Sequence, residues 1–402
     1  MTGILVRLLR PYNIFLLTTV VSFLTWSVPD FDGRLRKGFS EPFMLDPNGA
    51  IVSLSWIVII FISSFVGFRV GMSIKFNSHL LDEKASLYDL RPFKVIFMLA
   101  LIGVVYVFFQ LFTSLGISGI IQAVTGGQAN QLKDALYENY SAGLPSLRYL
   151  SIPAAALGVF HLMNRRYAVL SSLSLLLLLV VSLISSRLSL VYTIFIFLGL
   201  VARERNIRIK AWQAILGLIV VVHLIFALNY SRNINFYRSM GVDNFYMAGI
   251  SETVTYVGSP FQGFLAASSR PGQLSNMSEQ GTHTYTGISQ ELSTNSALLE
   301  LVREDDIYTA FLRITWSVLV SSFIMALAWR NRKNILLLTF GALGYCFAEI
   351  WRINLFSQGI VATIVLSIAF ISLLCVFSPK LSVSRKHLRR YSKLAKTGGR
   401  SL

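Results

Sequence analysis

The sequence predicts an all-α polytopic membrane protein: a single integral membrane domain over residues 1–402, with about ten transmembrane helices and both termini cytoplasmic. The first observation is composition. Of the 402 residues, 54% are apolar and 14% are charged, whereas about 25% are charged in soluble domains. The second observation is that the apolar residues collect into about ten runs, and the third is that the segments between these runs alternate between basic and acid-balanced.

The ten runs are predicted to be helices, because backbone groups inside lipid must find their hydrogen bonds within the segment itself. In chain order the runs are 12–28, 50–68, 95–115, 147–163, 167–184, 188–202, 211–228, 309–329, 335–350 and 354–377. Ten crossings return the chain to its starting side, so both termini are predicted to lie together.

Basic residues concentrate on the side of the N-terminus. The segments on that side hold 24 of the 36 Lys and Arg residues and 4 of the 19 Asp and Glu residues. Lys and Arg stay in cytoplasmic loops during insertion, so this asymmetry predicts an N-terminus inside the cell. Membrane orientation explains the net charge of +17 without nucleic-acid binding. The tail at 379–402 is predicted to be a basic cytoplasmic segment that contacts anionic lipid.

One external segment is much longer than the others. Residues 229–308 are polar and rich in Gly, Ser, Thr and Asn, and we expect a large external loop subdomain with short helices. A loop of this length usually has a function. One short helix is predicted at 298–303, with Ser293 and Asn295 as caps. A second external segment is amphipathic around 117–140, which favours a position on the membrane surface.

The sequence predicts no metal site and no cofactor. The two cysteines, Cys346 and Cys375, both lie in apolar runs, where they are expected to be packing residues without a disulfide. The five histidines are scattered along the chain. No phosphate-binding glycine loop and no cluster of metal-ligand residues occurs in the sequence.

Charged residues at membrane depth are the sharpest functional signal. A helix rises about 1.5 Å per residue and the hydrocarbon core is about 30 Å thick, so a crossing takes about 20 residues. Only 15 residues separate Arg187 from Arg203, which places Arg187 below the outer surface. Such an arginine is expected to face the bundle interior or a wet cavity.

The same count predicts that three further charges converge near the outer end of the bundle. Arg313 lies 17 residues before Arg330, and Glu349 lies 16 residues after Lys333. Arg352 follows Glu349 at i+3, so the two residues share a helix face and can pair. The alternative interpretation is a set of structural ion pairs and snorkelling side chains.

An outward-facing site lined by arginines suits a phosphate or pyrophosphate group, because the guanidinium fork matches phosphate oxygens. A lipid pyrophosphate is the natural ligand, since its tail occupies the bilayer. A general base is then needed to activate an attacking hydroxyl, and the candidates are Glu349, Glu252, Glu291 and His283. For His283 and Glu291 the alternative is an ordinary solvated loop.

Several segments between 185 and 377 carry motifs that are informative in combination. They are the helix junction SSRLSL at 185–190, the triplet YSR at 230–232, the stretch 293–311, and the polar break FAEIWRIN at 347–354. Two external arginines are each followed, after ten intervening residues, by a glycine: Arg238 by Gly249 and Arg270 by Gly281. Together these features resemble the Wzy-type O-antigen or oligosaccharide-repeat polymerases, in which this Arg–Gly spacing has been described.

The resemblance implies a GT-C-like glycosyltransferase of the bacterial inner membrane, with its active site facing the periplasm. The donor would be a glycan on undecaprenyl pyrophosphate, the acceptor a repeat unit on the same carrier, and a further partner a chain-length regulator membrane protein. Arginines would stabilise the departing charge. The candidate catalytic residues are Arg187, Arg232, His283, Glu291 and Glu349. The candidate pyrophosphate-binding residues are Arg187, Arg232, Arg238, Arg270, Arg313 and Arg352.

Two other functions fit parts of the sequence. A ligase-like transferase would share the fold, the donor and the arginines but use a lipid A core as acceptor. A lipid-linked oligosaccharide flippase or transporter would show inverted repeats and broken helices, and the sequence shows little of either. In the long external segment, Tyr246 and Tyr285 are candidates for stacking on sugar rings, with packing of a small loop core as the alternative.

Overall fold

The structure is a computed structural model. It describes residues 2–28, 38–39, 41–74, 85–125, 130–138, 143–184, 188–203, 211–239, 241–242, 244–274, 277–289, 296–331 and 333–377. Within these ranges the regular structure is helical, apart from two isolated β-bridges. The predicted all-α class is therefore confirmed for this part of the chain. The predicted basic tail at 379–402 lies outside the described residues.

The described residues form sixteen α-helices. In chain order they are α1 (Thr2–Leu8), α2 (Pro11–Ser27), α3 (Pro47–Ser73), α4 (Leu90–Thr125), α5 (Asn130–Glu138), α6 (Ser151–Met163), α7 (Ala168–Ile184), α8 (Leu188–Arg203), α9 (Ala211–Ser239), α10 (Phe245–Ser269), α11 (Pro271–Leu274), α12 (Glu279–Thr286), α13 (Ala297–Glu304), α14 (Ile307–Arg330), α15 (Leu337–Glu349) and α16 (Gly359–Phe377). Two 3-10 helices, Leu144–Leu150 and Leu355–Ser357, precede α6 and α16.

Each of the ten predicted apolar runs coincides with one of these α-helices, in two cases together with the 3-10 turn before it. Among the described residues, four helices are long and apolar enough to cross a membrane: α3, Leu90–Ala123 of α4, α14 and α16. Shorter apolar helices include α7, α8 and α15. These helices support a membrane-embedded protein, and the count of ten crossings stays a prediction.

Helices α3 and α14 approach each other closely along two glycines of α3. A Cβ added at Gly67 would lie 2.3 Å from the Leu319 carbonyl oxygen. At Gly71 it would lie 2.7 Å from the Phe323 carbonyl oxygen and from Ala326 Cβ. Glycines four positions apart let the backbones of membrane helices come into direct contact. This close α3–α14 contact lies toward the end of the bundle at which both helices enter connections predicted to be cytoplasmic.

Turns that the charge pattern assigns to the cytoplasmic side contact one another. The N–H of Leu87 donates to the Lys333 carbonyl at 2.7 Å, and the N–H of Ile335 donates to the Ala85 carbonyl at 3.0 Å. These hydrogen bonds join the connection between α3 and α4 to the connection between α14 and α15. Two loops predicted to share a side therefore do share one end of the bundle.

At the opposite end, Gln262 of α10 joins the end of α2 to two segments that are predicted to be external. Its Oε1 accepts hydrogen bonds from Trp26 Nε1 at 2.7 Å and from the Phe43 N–H at 3.1 Å. Its Nε2 donates to the carbonyls of Glu41 at 2.8 Å and Thr286 at 3.2 Å. The residue is 1% exposed. Both atoms of this buried amide therefore make hydrogen bonds, and together they connect the segments at the outer end.

The expectation of short helices in the segment 229–308 is wrong for α10, which has 25 residues. Its second half is buried and packs against α2 and α3 as a member of the bundle. The sequence pointed to a loop because many buried positions are small or polar and give little apolar signal: Gly258, Ser259, Gln262, Gly263 and Ser268. The short helix predicted at 298–303 is confirmed as α13, but its cap is Ser296, whose Oγ accepts from Leu299 N–H at 3.0 Å.

Helix α4 bends where the amphipathic external segment begins. Gly116 has a φ of 67°, a conformation that glycine adopts without a Cβ clash. Beyond the bend the chain leads to α5, which buries Leu132 and Leu136 beside Val107 and Leu111 of α4. Helix α5 thus buries its leucines against α4, and the predicted position of this amphipathic segment on the membrane surface stays a prediction.

Candidate functional site

The side chains of Glu349 and Arg352 form a buried ion pair where α15 ends. Arg352 Nε donates to Glu349 Oε2 at 2.8 Å, so the predicted i,i+3 pair is confirmed. The N–H groups of Arg352 and Ile353 both donate to the Glu349 carbonyl, at 2.8 and 2.9 Å. The side chains are 14% and 10% exposed for Arg352 and Glu349, respectively, so mobile ions screen the pair weakly.

Tyr256 of α10 completes what we call the Glu349 cluster, formed by Tyr256, Glu349 and Arg352. Its hydroxyl donates to the Glu349 carboxylate, at 3.0 Å from Oε2 and 3.3 Å from Oε1. Its ring centroid lies 4.5 Å from Arg352 Cζ, within the range of a cation–π contact. One tyrosine thus holds the carboxylate through its hydroxyl and the guanidinium through its ring.

The guanidinium of Arg352 keeps its outer edge open. Nε is committed to Glu349, whereas Nη1 and Nη2 make no hydrogen bond to any described residue. Arginine binds carboxylate and phosphate groups through pairs of parallel N–H bonds, which gives both energy and geometric specificity. An arginine anchored at Nε, with both terminal nitrogens unused, is therefore positioned to bind two oxygens of an anion.

Trp351 fixes the turn that carries Arg352. Its ring is stacked on Phe15 of α2, with centroids 5.8 Å apart and an interplanar angle of 3°. The same ring meets Phe264 of α10 edge-on at 4.9 Å. Its carbonyl accepts the N–H of Ala297, at the start of α13, at 3.2 Å. Three separate elements therefore hold the turn between α15 and α16.

A second carboxylate, that of Glu300 on α13, contacts the same turn. The N–H of Asn354 lies 3.5 Å from Glu300 Oε2. Burial raises the pKa of the Glu300 carboxyl, against the opposing effects of the Asn354 N–H and the positive charge of Arg352. The charge of Arg352 therefore acts on two carboxylates whose surroundings differ, since Glu349 is ion-paired with it and Glu300 is influenced mainly by burial.

Two buried polar atoms of this turn lack a partner among the described residues. They are the indole Nε1 of Trp351 and the amide Oδ1 of Asn354. Most buried polar atoms in proteins are hydrogen-bonded, and an unsatisfied one costs about 1–3 kcal/mol. The turn thus combines an open arginine fork with unused hydrogen-bonding capacity.

Several predicted site residues lie away from the Glu349 cluster or outside the described residues. Arg187 and Glu291 lie outside the described residues, and Arg232 is on α9 with its side chain outside the described part. Their roles stay predictions. Arg238 and Arg270 are exposed at the ends of α9 and α10. Within the described ranges neither makes a hydrogen bond or ion pair with the Glu349 cluster.

Arg313 does not join the Glu349 cluster, contrary to the predicted convergence. Its Nη1 pairs with Glu304 Oε2 at 3.2 Å and also with the Asp305 carboxylate. The side chain is 42% exposed. Glu304 ends α13 and Asp305 follows it, so both acids lie within reach of Arg313 on the surface. Its charge is already neutralised there, which makes Arg313 a poor ligand for pyrophosphate.

The remaining loop candidates mainly pack within the outer end. His283 Nδ1 lies 3.2 Å from the Ile288 carbonyl. The Tyr285 hydroxyl donates to the Ala266 carbonyl at 3.3 Å, and its ring meets Phe43 edge-on at 5.7 Å. The ring of Tyr246, in contrast, belongs to an exposed residue. Of the two predicted glycan-stacking residues, Tyr246 has the more accessible face, and stacking stays a prediction for both.

No family model, curated protein or solved structure matches this chain. The resemblance to Wzy-type polymerases thus rests on the motifs in the sequence alone. Sequence reasoning found Glu349 and Arg352 but missed Tyr256 as their partner and Glu300 as a second carboxylate. The i,i+3 spacing reveals the first pair, whereas no local spacing links Tyr256 to Glu349, 93 positions away.

Proposed function

We propose that this protein is a polysaccharide polymerase of the Wzy type, which joins oligosaccharide units linked to a lipid pyrophosphate. The observation that carries the proposal is the Arg352 guanidinium, held at Nε by Glu349 and stacked on Tyr256, with both terminal nitrogens open. It lies just after the end of α15, at the opposite end of that helix from Lys333. A pyrophosphate bound there can leave its lipid tail in the bilayer.

The cluster supports a specific division of roles. Arg352 binds the pyrophosphate and stabilises the charge that develops as the glycosidic C–O bond of the donor breaks. Glu349 and Tyr256 are positioning residues in this proposal, because each contacts Arg352 and holds its orientation. Arg187 and Arg232, which lie in the motifs at 185–190 and 230–232, would supply further positive charge.

The proposal includes a location and partners. The protein would be a multi-pass enzyme of the bacterial inner membrane with its site on the periplasmic side. The donor would be a growing glycan on undecaprenyl pyrophosphate, and the acceptor would be one repeat unit on the same carrier. A chain-length regulator in the membrane is the expected protein partner. The pattern of basic and acid-balanced loops supports this orientation.

The test uses purified full-length protein in nanodiscs, with a lipid-pyrophosphate oligosaccharide and no sugar nucleotide. We expect a ladder of repeat-unit multiples on a gel. Arg352→Lys keeps the charge and the pairing with Glu349 but removes the fork, so the ladder should be lost or strongly reduced. Arg313→Gln is the matched control, because its charge is neutralised on the surface, and it should polymerise as the wild type does.

Each alternative result has a defined meaning. Folded wild-type protein that binds the lipid but makes no ladder overturns the polymerase proposal. Transfer to an added lipid A core would then indicate a ligase-like enzyme, and movement of the lipid across the bilayer without bond formation would indicate a flippase. A full ladder from Arg352→Lys at normal abundance would remove Arg352 as the basis of the site.

A further inference from the structure

We infer that Glu300 and Asn354 form the subsite for the acceptor hydroxyl, and that Glu300 takes the proton of that hydroxyl. This inference rests on the proposed polymerase function and adds the residue that activates the nucleophile. Neither Glu300 nor Asn354 stands out in the sequence as a candidate. Their roles follow from how α13 contacts the turn between α15 and α16.

The contact between α13 and this turn places the two residues together. The N–H of Ala297 donates to the Trp351 carbonyl at 3.2 Å, which fixes the start of α13 against the turn. One helical turn further along α13, Glu300 Oε2 lies 3.5 Å from the N–H of Asn354. Asn354 is two residues beyond Arg352 in the same turn, and the charge of Arg352 acts on the Glu300 carboxylate.

The two side chains offer unused acceptor capacity, at a fully buried amide oxygen of Asn354 and at a partly buried carboxylate of Glu300. Asn354 is 2% exposed, and its Oδ1 has no hydrogen-bond partner among the described residues. The Glu300 carboxylate accepts only the long contact from Asn354 in the same part of the chain. Buried acceptors without donors are costly, so this place is complementary to a ligand that carries O–H groups. Sugar hydroxyls supply such donors, whereas fully ionised phosphates do not.

The charges around Glu300 suit proton exchange. Arg352 from the turn and Arg303 from α13 favour the ionised carboxylate, and Glu304 from α13 opposes it. Burial is the largest influence and raises the pKa of the Glu300 carboxyl overall. A general base is most effective when its pKa lies close to the working pH. A carboxylate whose pKa is raised by burial therefore takes up a proton more readily than an exposed carboxylate does.

Glu349 is not available for the same task. Its carboxylate already accepts hydrogen bonds from Arg352 Nε and from the Tyr256 hydroxyl. Protonation of Glu349 would weaken the ion pair that orients Arg352. Two carboxylates in different surroundings commonly divide their roles in this way. Glu349 thus orients the arginine, and Glu300 exchanges the proton.

The step requires no additional reactant. The O–H bond of the acceptor breaks and its proton moves to the Glu300 carboxylate. The acceptor oxygen forms a bond to the anomeric carbon of the donor glycan. The bond from that carbon to the pyrophosphate oxygen breaks, and its electron pair leaves with the lipid pyrophosphate beside Arg352. Glu300 afterwards releases its proton to water.

The first experiment compares Glu300→Gln with Glu304→Gln in the ladder assay. Glutamine preserves the shape of Glu300 and its contact with Asn354 but does not accept the proton. We expect kcat to fall by about 10²-fold or more, the usual contribution of a general base, with unchanged affinity for undecaprenyl pyrophosphate alone. Glu304 lies on the same helix and is exposed, so Glu304→Gln should keep the wild-type kcat.

The pH dependence separates proton transfer from a structural role. The kcat of the wild type should decline as the pH falls through the pKa of Glu300, because the protonated carboxyl no longer accepts a proton. This decline of kcat at low pH, the acid limb of the pH profile, should be absent from the residual activity of Glu300→Gln. The Glu304→Gln variant should retain it. An equal loss of kcat at every pH, with the acid limb intact in Glu300→Gln, would contradict the inference.

A binding measurement tests Asn354 independently of turnover. Asn354→Ala should weaken binding of the glycan-bearing lipid pyrophosphate by about 2- to 10-fold, the value of one hydrogen bond, and leave bare undecaprenyl pyrophosphate unaffected. Equal losses of affinity for both lipids in Asn354→Ala would overturn the subsite.

The ladder assay distinguishes failure of the inference from failure of the proposed function. If the wild type makes ladders and Glu300→Gln keeps the wild-type kcat, the inference is overturned and the proposed function stands. If the folded wild type makes no ladders, the proposed function itself is overturned.

Discussion

The carboxylate of Glu349 and the guanidinium of Arg352 meet at 2.8 Å across the end of a helix. Glu349 is the last residue of α15, and Arg352 belongs to the turn that follows. Because both side chains are largely buried, neither can lose its partner without leaving an unpaired charge in a region of low dielectric. The pair therefore holds the turn in place and orients the arginine at the same time.

A double-mutant cycle on this pair should show strong coupling. We expect Glu349→Gln and Arg352→Gln each to destabilise the protein by about 3–5 kcal/mol, the cost of leaving a buried charge unpaired. The double mutant should lose much less than the sum of the two, because no lone charge remains. Thermal unfolding of the four proteins in one detergent measures the coupling, and additive losses would contradict the pairing.

Close packing between α3 and α14 should make Gly67 intolerant of a side chain. Gly67→Ala places a Cβ 2.3 Å from the Leu319 carbonyl oxygen, and separating the helices should cost about 1–3 kcal/mol. Gly217→Ala in α9 is the control, since nothing lies within 4 Å of an added Cβ there. Alanine is a better helix former by about 1 kcal/mol, so this control should unfold at the same temperature as the wild type or higher. Equal stability of the two variants would argue against the observed contact.

Replacement of Gln262 by a carboxylate should loosen the outer end. Gln262→Glu keeps the acceptor for Trp26 but turns the two donated hydrogen bonds into contacts between oxygens. The carbonyls of Glu41 and Thr286 lose their donor, and each unsatisfied buried group costs about 1–3 kcal/mol. Limited proteolysis should cleave near residues 277–289 faster than in the wild type. Gln280→Glu, at an exposed position, should leave the cleavage rate unchanged, and equal rates for both variants would count against the connector role.

The ionised carboxylate of Glu300 should lower the stability of the folded protein at neutral pH. Burial raises the pKa of its carboxyl in the folded protein, so the folded state binds the proton more tightly than the unfolded state does. Stability is then highest when the carboxyl is protonated, and it is lost as the pH rises from the unfolded pKa through the folded pKa. Glu300→Gln should therefore raise the Tm at about pH 7.5 and raise it less at about pH 4. A Tm difference that grows on acidification would reverse the sign and refute this account.

The side assignment of the loops can be tested by cysteine labelling. Cys346 and Cys375 are buried, so they should react slowly with a membrane-impermeant maleimide in intact cells. Thr284→Cys, exposed near the Gln262 connector, should be labelled from outside. Lys333→Cys, exposed in the connection between α14 and α15, should be labelled only after permeabilisation. The reverse pattern would invert the topology and place the Glu349 cluster on the cytoplasmic side.

Most helices could be predicted because lipid imposes the same demand on each crossing, a long apolar segment with internal hydrogen bonds. The run predicted at 50–68 lies within α3, Pro47–Ser73, which extends beyond it at both ends. Helix α10 escaped prediction because it is buried by other helices and not by lipid. A helix that packs against other helices can bury glycines and a hydrogen-bonded amide such as Gln262. Hydropathy detects large apolar side chains and therefore does not detect such a helix.

The site was predictable only where its residues are close in sequence. Glu349 and Arg352 follow from the i,i+3 rule, whereas Tyr256 and Glu300 reach the cluster through tertiary packing. Arg313 was assigned wrongly because counting residues from Arg330 fixes its depth but not its direction around the helix. Arg313 pairs with nearby acids, and a count of residues along the helix does not predict which side chains pair.

The α3–α14 contact also orders events during synthesis. Helix α3 ends at Ser73, and its partner begins only at Ile307. At about 5–20 residues per second, the ribosome delivers α14 tens of seconds after α3. Throughout that interval Gly67 and Gly71 lack the surface that they are shaped to meet. A nascent chain that stops before Ile307 therefore leaves the glycine face of α3 without its helical partner.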